Sequence, residues 1–290
     1  ALLFKKLRKI PIFFWVQDLW PESIEAINIT RSKIIINSVG ILVKWIYQNC
    51  DVVLIQSRGF TKPAILRGAI KDKIKYLPNW AEDFFVPLKP SKKFKNQFPK
   101  KGFNVVFAGN LGEAQSLETI INAAQIIKDQ QINWIIIGEG RKKDWMVNKV
   151  KSMKLNNKFK FLGSKPVIQM PNYFAAADVL LVTLKNDPIF SYTIPGKIQS
   201  YLACGKPIIA AINGEGAKVI NKSMSGQAVN AEDYSNLARV IVKFSKMSKS
   251  ELSIRGKKAV EYYNNNFNRK SLIRKIEGII RNQLKSKLQK

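Results

Sequence analysis

Short apolar runs rich in aromatic and β-branched residues alternate along the chain with longer stretches of helical periodicity. Residues 12–16 (IFFWV) form the first such run and stop at the polar pair Gln17–Asp18, the pattern of a parallel strand buried on both faces. A helical stretch over about 32–49 follows, then a second strand pattern over 51–56 and a helix near 61–67. From residue 104 the alternation becomes regular. Strands are expected at 104–108, 133–137, 158–162, 179–182 and 207–211. Between and after them helices are expected at 116–129, 141–153, 168–176, 196–203, 233–248 and 250–264. Strands separated by helices of this length specify an α/β protein with doubly wound parallel sheets.

One stretch breaks the pattern. Residues 87–102 (PLKPSKKFKNQFPKKG) carry three prolines and six lysines without periodicity, which is linker composition. The chain therefore divides into a first domain over 1–86, the linker 87–102 and a second domain over 103–265. The first holds two or three strands, fewer than a free-standing Rossmann-like domain needs, so an earlier part of it, on the order of 100 residues, is expected to be missing. The remaining segment, 266–290, places Leu272, Ile273, Ile276, Ile279, Ile280 and Leu284 on one helical face with basic residues opposite. Such a helix either lies on a membrane or packs its stripe on the body of the protein.

Composition narrows the chemistry. The 290 residues hold 49 Lys and Arg against 20 Asp and Glu, a formal charge of +29 that concentrates phosphate-bearing partners without choosing among them. No recognised nucleic-acid motif accompanies the charge, so specific nucleic-acid binding is not expected. Histidine is absent, which removes Ser-His and Cys-His nucleophile pairs and most zinc sites. Cys50 and Cys204 stand far apart in apolar surroundings, as in a reducing cytosolic compartment. The longest apolar run, 34–47, is interrupted by Lys44 and falls short of a membrane span, and the basic, apolar opening (ALLFKKLRKI) has no cleavage site of a signal peptide.

Several glycine-bearing turns follow strands, where doubly wound sheets bind ligands. Gly109-Asn110-Leu111-Gly112 ends the run NVVFA, Gly138-Glu139-Gly140 ends NWIII, and Gly163-Ser164-Lys165-Pro166 ends the next strand. Each lets backbone N–H groups approach an anion, or serves only as a tight turn. Thr193-Ile194-Pro195-Gly196-Lys197 is sharper: Pro at a helix start, Gly for close approach, and Lys197 as a cation beside the positive end of the helix, an arrangement that fits a diphosphate.

These segments carry a resemblance. FAGNLGEAQSLETIINAA, IIIGEGRKK, FLGSKP, FAAADVLLVTL and TIPGKIQSYLACGKPIIAA, preceded by WVQDLWPES and YLPNWAEDFF, occur in the order seen in glycosyltransferase family four of the GT-B fold. The chain is similar over about 12–267 to bacterial enzymes of O-antigen and capsule assembly, fucosamine transferases among them. The resemblance implies two Rossmann-like domains, the first receiving the acceptor and the second holding the nucleotide sugar. Gly109, Asn110 and Gly112 would lie against the donor diphosphate, with Gly138 and Glu139 at the same edge; Gly163, Ser164 and Lys165 would border the base. Lys197, beside Pro195 and Gly196, would neutralise the diphosphate and the charge that develops on the leaving group. Many members carry two Glu where this sequence has Tyr192 and Ser200, so the usual acidic pair is absent. Where many have His before an acid, this chain has Gln17 before Asp18. Asp18 is the candidate active-site acid and Glu22 the reserve, although Asp18 could equally cap the turn that follows it.

The expected reaction is transfer from a nucleotide diphosphate sugar, UDP-linked, to a polyprenyl-linked or saccharide acceptor in surface-polysaccharide synthesis, with retention and without metal or cofactor. Peripheral attachment to the cytoplasmic face of an anionic membrane is expected, through residues near 4–15 and 44–47. Two alternatives differ in class: a degenerate nucleotide-sugar-binding protein, suggested by the missing acidic pair, and a sugar-nucleotide epimerase, which the lack of His disfavours.

Overall fold

A computed structural model describes residues 1–8, 10–26 and 32–288. Lys9, in the basic opening stretch, and residues 289 and 290 of the C-terminal stretch lie outside the described residues. The chain runs α1 (Leu2–Arg8), β1 (Phe13–Val16), α2 (Glu22–Ala26), α3 (Lys33–Asn49), β2 (Val52–Ile55), α4 (Thr61–Leu66) and β3 (Ile74–Tyr76). It continues with α5 (Lys92–Lys95), β4 (Phe103–Ala108), α6 (Leu117–Ile126), β5 (Ile132–Ile137), α7 (Lys143–Ser152), β6 (Phe159–Gly163), α8 (Met170–Ala176) and β7 (Val179–Thr183). Then come α9 (Pro188–Tyr192), α10 (Gly196–Ala203), β8 (Ile208–Ala211), α11 (Gly214–Lys222), β9 (Gly226–Val229), α12 (Tyr234–Ser245), α13 (Lys249–Asn266) and α14 (Arg269–Leu288).

Contacts divide the chain into two compact units, one of Ala1–Trp80, Asp187–Ile194 and Phe267–Lys290, the other of Ala81–Asn186 and Pro195–Asn266. In the first unit β1, β2 and β3 pair in parallel in that order. β2 is buried along its whole length, as its unbroken apolar sequence VVLI requires. Helices cover both faces. Tyr47 of α3 and Phe60 pack with Val53 and Ile55 on one side, while Leu272 of α14 packs with Val52, Leu54 and Leu77 on the other. Ile276 and Ile279 extend the α14 contact. The apolar stripe of the C-terminal helix thus packs on the protein body.

The second unit holds six parallel strands in the order β6-β5-β4-β7-β8-β9. The order reverses between β4 and β7, where the chain leaves one half of the sheet and begins the other. In such sheets the crevice for a ligand opens at that point, beyond the carboxyl ends of the strands. Val105, Val106 and Phe107 of β4 and Leu180 and Leu181 of β7 are fully buried, which fixes the edge on which the site is built.

The short helices α1, α2 and α5 are absent from the periodicity reading, and so are β3, β9, α9 and α11. β3 is three residues long, too short for a pattern, and β9 (GQAV) holds a single large apolar residue, Val229. α11 begins inside a glycine-rich turn. α9 has a legible start, because the Asp187 side chain accepts from Ile189 N at 2.9 Å and Pro188 opens the helix. Within the expected linker, α5 is ordered by packing: the Phe94 ring meets Tyr173 edge-on at 4.9 Å, and Tyr173 Oη donates to Gln97 at 3.1 Å.

Candidate functional site

The carboxyl ends of β4, β5 and β6 interlock through their backbones. Gly109 N donates to Ile137 O at 2.9 Å, Leu111 N to Glu139 O at 2.7 Å, and Gly138 N to Gly163 O at 3.0 Å. Gly138 has φ +140°, and a Cβ there would run into Gly109 O. Its glycine is required for the close approach of two turns. Gly109, at φ +143°, differs: the nearest atom to a Cβ on it is Lys197 Nζ, at 3.0 Å. That glycine keeps a lane open between backbone and ammonium.

Lys197 lies in the first turn of α10, directly after the Pro195–Gly196 helix start. Its Nζ donates to Gln115 Oε1 at 2.7 Å and lies 4.2 Å from the centroid of the Phe107 ring. Burial pushes its ammonium down to about 7, and among the described residues no carboxylate opposes that effect. A buried ammonium with no carboxylate partner among the described residues has the chemistry to take an anion as its partner.

Around it a cavity of about 400 Å³ gathers Gly109, Asn110, Gly138, Glu139, Ser164, Lys165, Lys197 and Ser200. Gly112, Gly163, Pro195 and Gly196 belong to the same turns without lining the cavity. Tyr192 lies elsewhere, packed on the first unit's core with Ile189 and Phe190. Ser200 Oγ donates to Gly196 O at 3.4 Å, and Glu139 is paired with Lys143 at 2.8 Å. The aromatic wall of the cavity is not apparent from motif reading. Phe85 stacks on Phe174 with centroids 6.2 Å apart, Phe174 meets Tyr201 edge-on at 4.9 Å, and Tyr201 Oη donates to Ala108 O at 3.3 Å. A larger cavity of the unit, about 790 Å³, opens at the amino ends of β7 and β8 between Asp178, Lys206 and α13, away from the glycine turns.

In the first unit Asp18 and Trp20 line an apolar cavity of about 330 Å³ with Phe14, Leu42, Ile46 and Tyr47 among its walls. Asp18 is exposed and has no hydrogen-bond or ion-pair partner among the described residues. Its neighbours are committed elsewhere. Gln17 Oε1 accepts from Asn79 at 2.8 Å and Gln17 O from Gln56 at 3.3 Å; Glu22 Oε1 takes both Nε and Nη2 of Arg67 at 2.7 Å. Among the described residues no three His, Cys, Asp or Glu side chains cluster as metal ligands.

Residues 89–261, which hold the whole glycine-turn cavity apart from Phe85, match the family Glycosyl transferases group 1. The chain belongs to this family. This group 1 member is 28% identical over 266 residues to the probable glycosyltransferase WbjE of Pseudomonas aeruginosa, covering 87% of the chain and 64% of that relative. It is 27% identical over 162 residues to the putative colanic acid biosynthesis glycosyl transferase WcaI of Escherichia coli, covering 54% of the chain and 39% of the relative. The chain thus spans less than two thirds of the length of these relatives.

Among solved structures, Anabaena HepE in complex with UDP aligns at TM-score 0.79 with 16% identity, over 97% of this chain and 75% of that one. Sucrose-phosphate synthase of Thermosynechococcus elongatus aligns at 0.75 with 18% identity, over 94% and 68%. The group 1 member therefore has the GT-B fold.

Proposed function

We propose that this group 1 family member binds a UDP-sugar in the glycine-turn cavity and transfers the sugar to an acceptor in surface-polysaccharide synthesis. The observation that carries the reading is Lys197, a buried ammonium among three glycine turns at the sheet's reversal point, held by Gln115 and with no carboxylate partner among the described residues. HepE, solved with UDP and with UDP-glucose, supports the choice of nucleotide, and WcaI the polysaccharide setting.

In this reading the bond between the sugar's anomeric carbon and the diphosphate oxygen breaks while one to an acceptor hydroxyl forms. Lys197 and the backbone N–H groups of the Gly109 turn take up the charge that grows on the leaving diphosphate. The acceptor's proton passes to that leaving group, with retention of configuration, and no metal or cofactor is invoked. Asp18 serves the acceptor side. The apolar cavity it lines supports an acceptor with an apolar portion, such as a polyprenyl carrier.

Peripheral attachment to an anionic membrane belongs to the same proposal. The outer face of α3 exposes Ile34 (80%), Ile41 (72%), Leu42 and Trp45, and Lys44 lies beside them. No described helix is long and apolar enough to cross a bilayer.

Calorimetric titration of the chain with UDP and UDP-sugars, wild type against Lys197→Ala, tests the donor assignment. Binding by the wild type and its loss in the variant is expected. Absence of UDP binding by the wild type would sink it. Binding without transfer to any acceptor extract would favour the degenerate binder, the reading that Tyr192 and Ser200 in place of the acidic pair keep open.

A further inference from the structure

Gln115 belongs to no motif with an assigned role, yet it is the hydrogen-bond partner of the one ammonium on which the donor site depends. It closes a single 3-10 turn, Glu113–Gln115, that follows the Gly109 turn. That turn is tied down on several sides. Thr183 Oγ1, at the carboxyl end of β7, donates to Gln115 O, and Lys185 N donates to Ala114 O at 2.9 Å. Glu113 pairs with Lys185 at 3.0 Å and with Lys142 at 3.4 Å. Ser116 is left-handed, at φ +45°, and shares a hydrogen bond with Thr119 at 2.8 Å. A turn so anchored presents its last side chain from a fixed origin.

We infer that Gln115 is the positioning residue for Lys197, its side-chain carbonyl holding the ammonium beside Gly109 while leaving the positive charge free for a diphosphate. This rests on the donor reading above. The chemistry of the residue type is the argument. An ammonium has three donors, and Gln115 occupies one of them. The Phe107 ring face, 4.2 Å away, stabilises the charge without cancelling it.

A carboxylate at the same 2.7 Å would pair with Lys197, and a diphosphate would then have to displace it. The other charged groups nearby are already accounted for. Glu139, in the same cavity, is paired with Lys143; Glu113 lies between Lys142 and Lys185; and Lys165 brings a second positive charge to the cavity wall. A neutral acceptor at residue 115 is what keeps Lys197 both oriented and available.

The test compares UDP with uridine on wild type, Gln115→Met and Gln115→Glu between pH 7 and 9, a window above the last proton loss of a phosphate near pH 6. Uridine binding, which involves no phosphate, is expected to be the same in all three. Gln115→Met removes the acceptor at nearly constant volume. Its UDP affinity is expected to fall about tenfold at pH 8 and less at pH 7, because the unsupported ammonium loses its proton earlier.

Gln115→Glu keeps the shape and adds a charge. Its UDP affinity is expected to be lower throughout, with a flatter pH profile because the carboxylate holds Lys197 protonated. Opposite changes in the slope of the pH profile are not produced by a merely structural residue. If both variants bind UDP within about twofold of wild type and with its pH profile, while Lys197→Ala loses binding, the role of Gln115 is overturned and the donor reading stands. A wild type that binds no UDP overturns both.

Discussion

At the scale of single residues, Gly109 and Gly138 both line the cavity but are required by different neighbours, the Lys197 ammonium for the first and a backbone carbonyl for the second. Gly138 is packed against Gly109 O, so Gly138→Ala is expected to destabilise the protein by about 1–3 kcal/mol, read as a lower urea midpoint. Lys197 sets a pH dependence whose sign can be worked out. Burial holds its folded-state pKa near 7 against 10.5 for a free lysine, so the folded apo protein binds fewer protons than the unfolded chain between those values. Stability from this group therefore rises with pH through that window and is lowest below 7. A bound diphosphate reverses the balance, because it favours the ammonium. UDP binding is expected to take up a proton at pH 8 and to weaken as pH rises above 7; calorimetry in two buffers of different ionisation enthalpy measures the uptake. Lys197→Ala removes a charge-assisted contact and is expected to weaken UDP binding by about 1.5–3 kcal/mol, roughly ten- to 150-fold.

At the scale of elements, α14 and α3 of the first unit are both amphipathic but meet different partners. The stripe of α14 is folded against the sheet, with Leu272 only 6% exposed. Leu272→Ala is expected to cost about 2–5 kcal/mol, measured by chemical denaturation, without altering UDP affinity. α3 buries Tyr47 and Gly40 and leaves Ile34, Ile41 and Trp45 on its outer face. A double substitution, Ile41→Ser with Trp45→Ser, is expected to leave the folding midpoint near that of wild type and to reduce sedimentation with anionic vesicles. Unchanged sedimentation would remove α3 from the membrane proposal.

At the scale of the whole molecule, the charge of +29 predicts association with anionic vesicles that weakens steeply between low and physiological salt, since exposed charges are screened over about 8–10 Å. Binding to neutral vesicles of equal strength would assign the attraction to the apolar face instead. The alternation of strands and helices that makes each unit an α/β layer structure is legible in the chain. A fully buried strand is apolar throughout, as in β2 and β8, and a covering helix must repeat near 3.6 residues. Turn-forming glycines are legible too, because few other residues accept φ near +140°.

What the chain by itself does not contain is the meeting of residues far apart in sequence. Gln115 and Lys197 are 82 positions apart and 2.7 Å from each other, brought together because β4 and β7 are neighbours at the reversal of the sheet. Phe85, Phe174 and Tyr201 form one wall for the same reason, although none stands out by spacing. Tyr192 and Ser200 illustrate the converse: eight positions apart, they fall in different units. Local sequence determines which segments become strands, helices and turns, since those follow from periodicity and backbone sterics. The pairing order of the strands decides which side chains share a cavity, and with it whether a lysine is a solvated surface charge or, like Lys197, a desolvated cation held without a counter-ion.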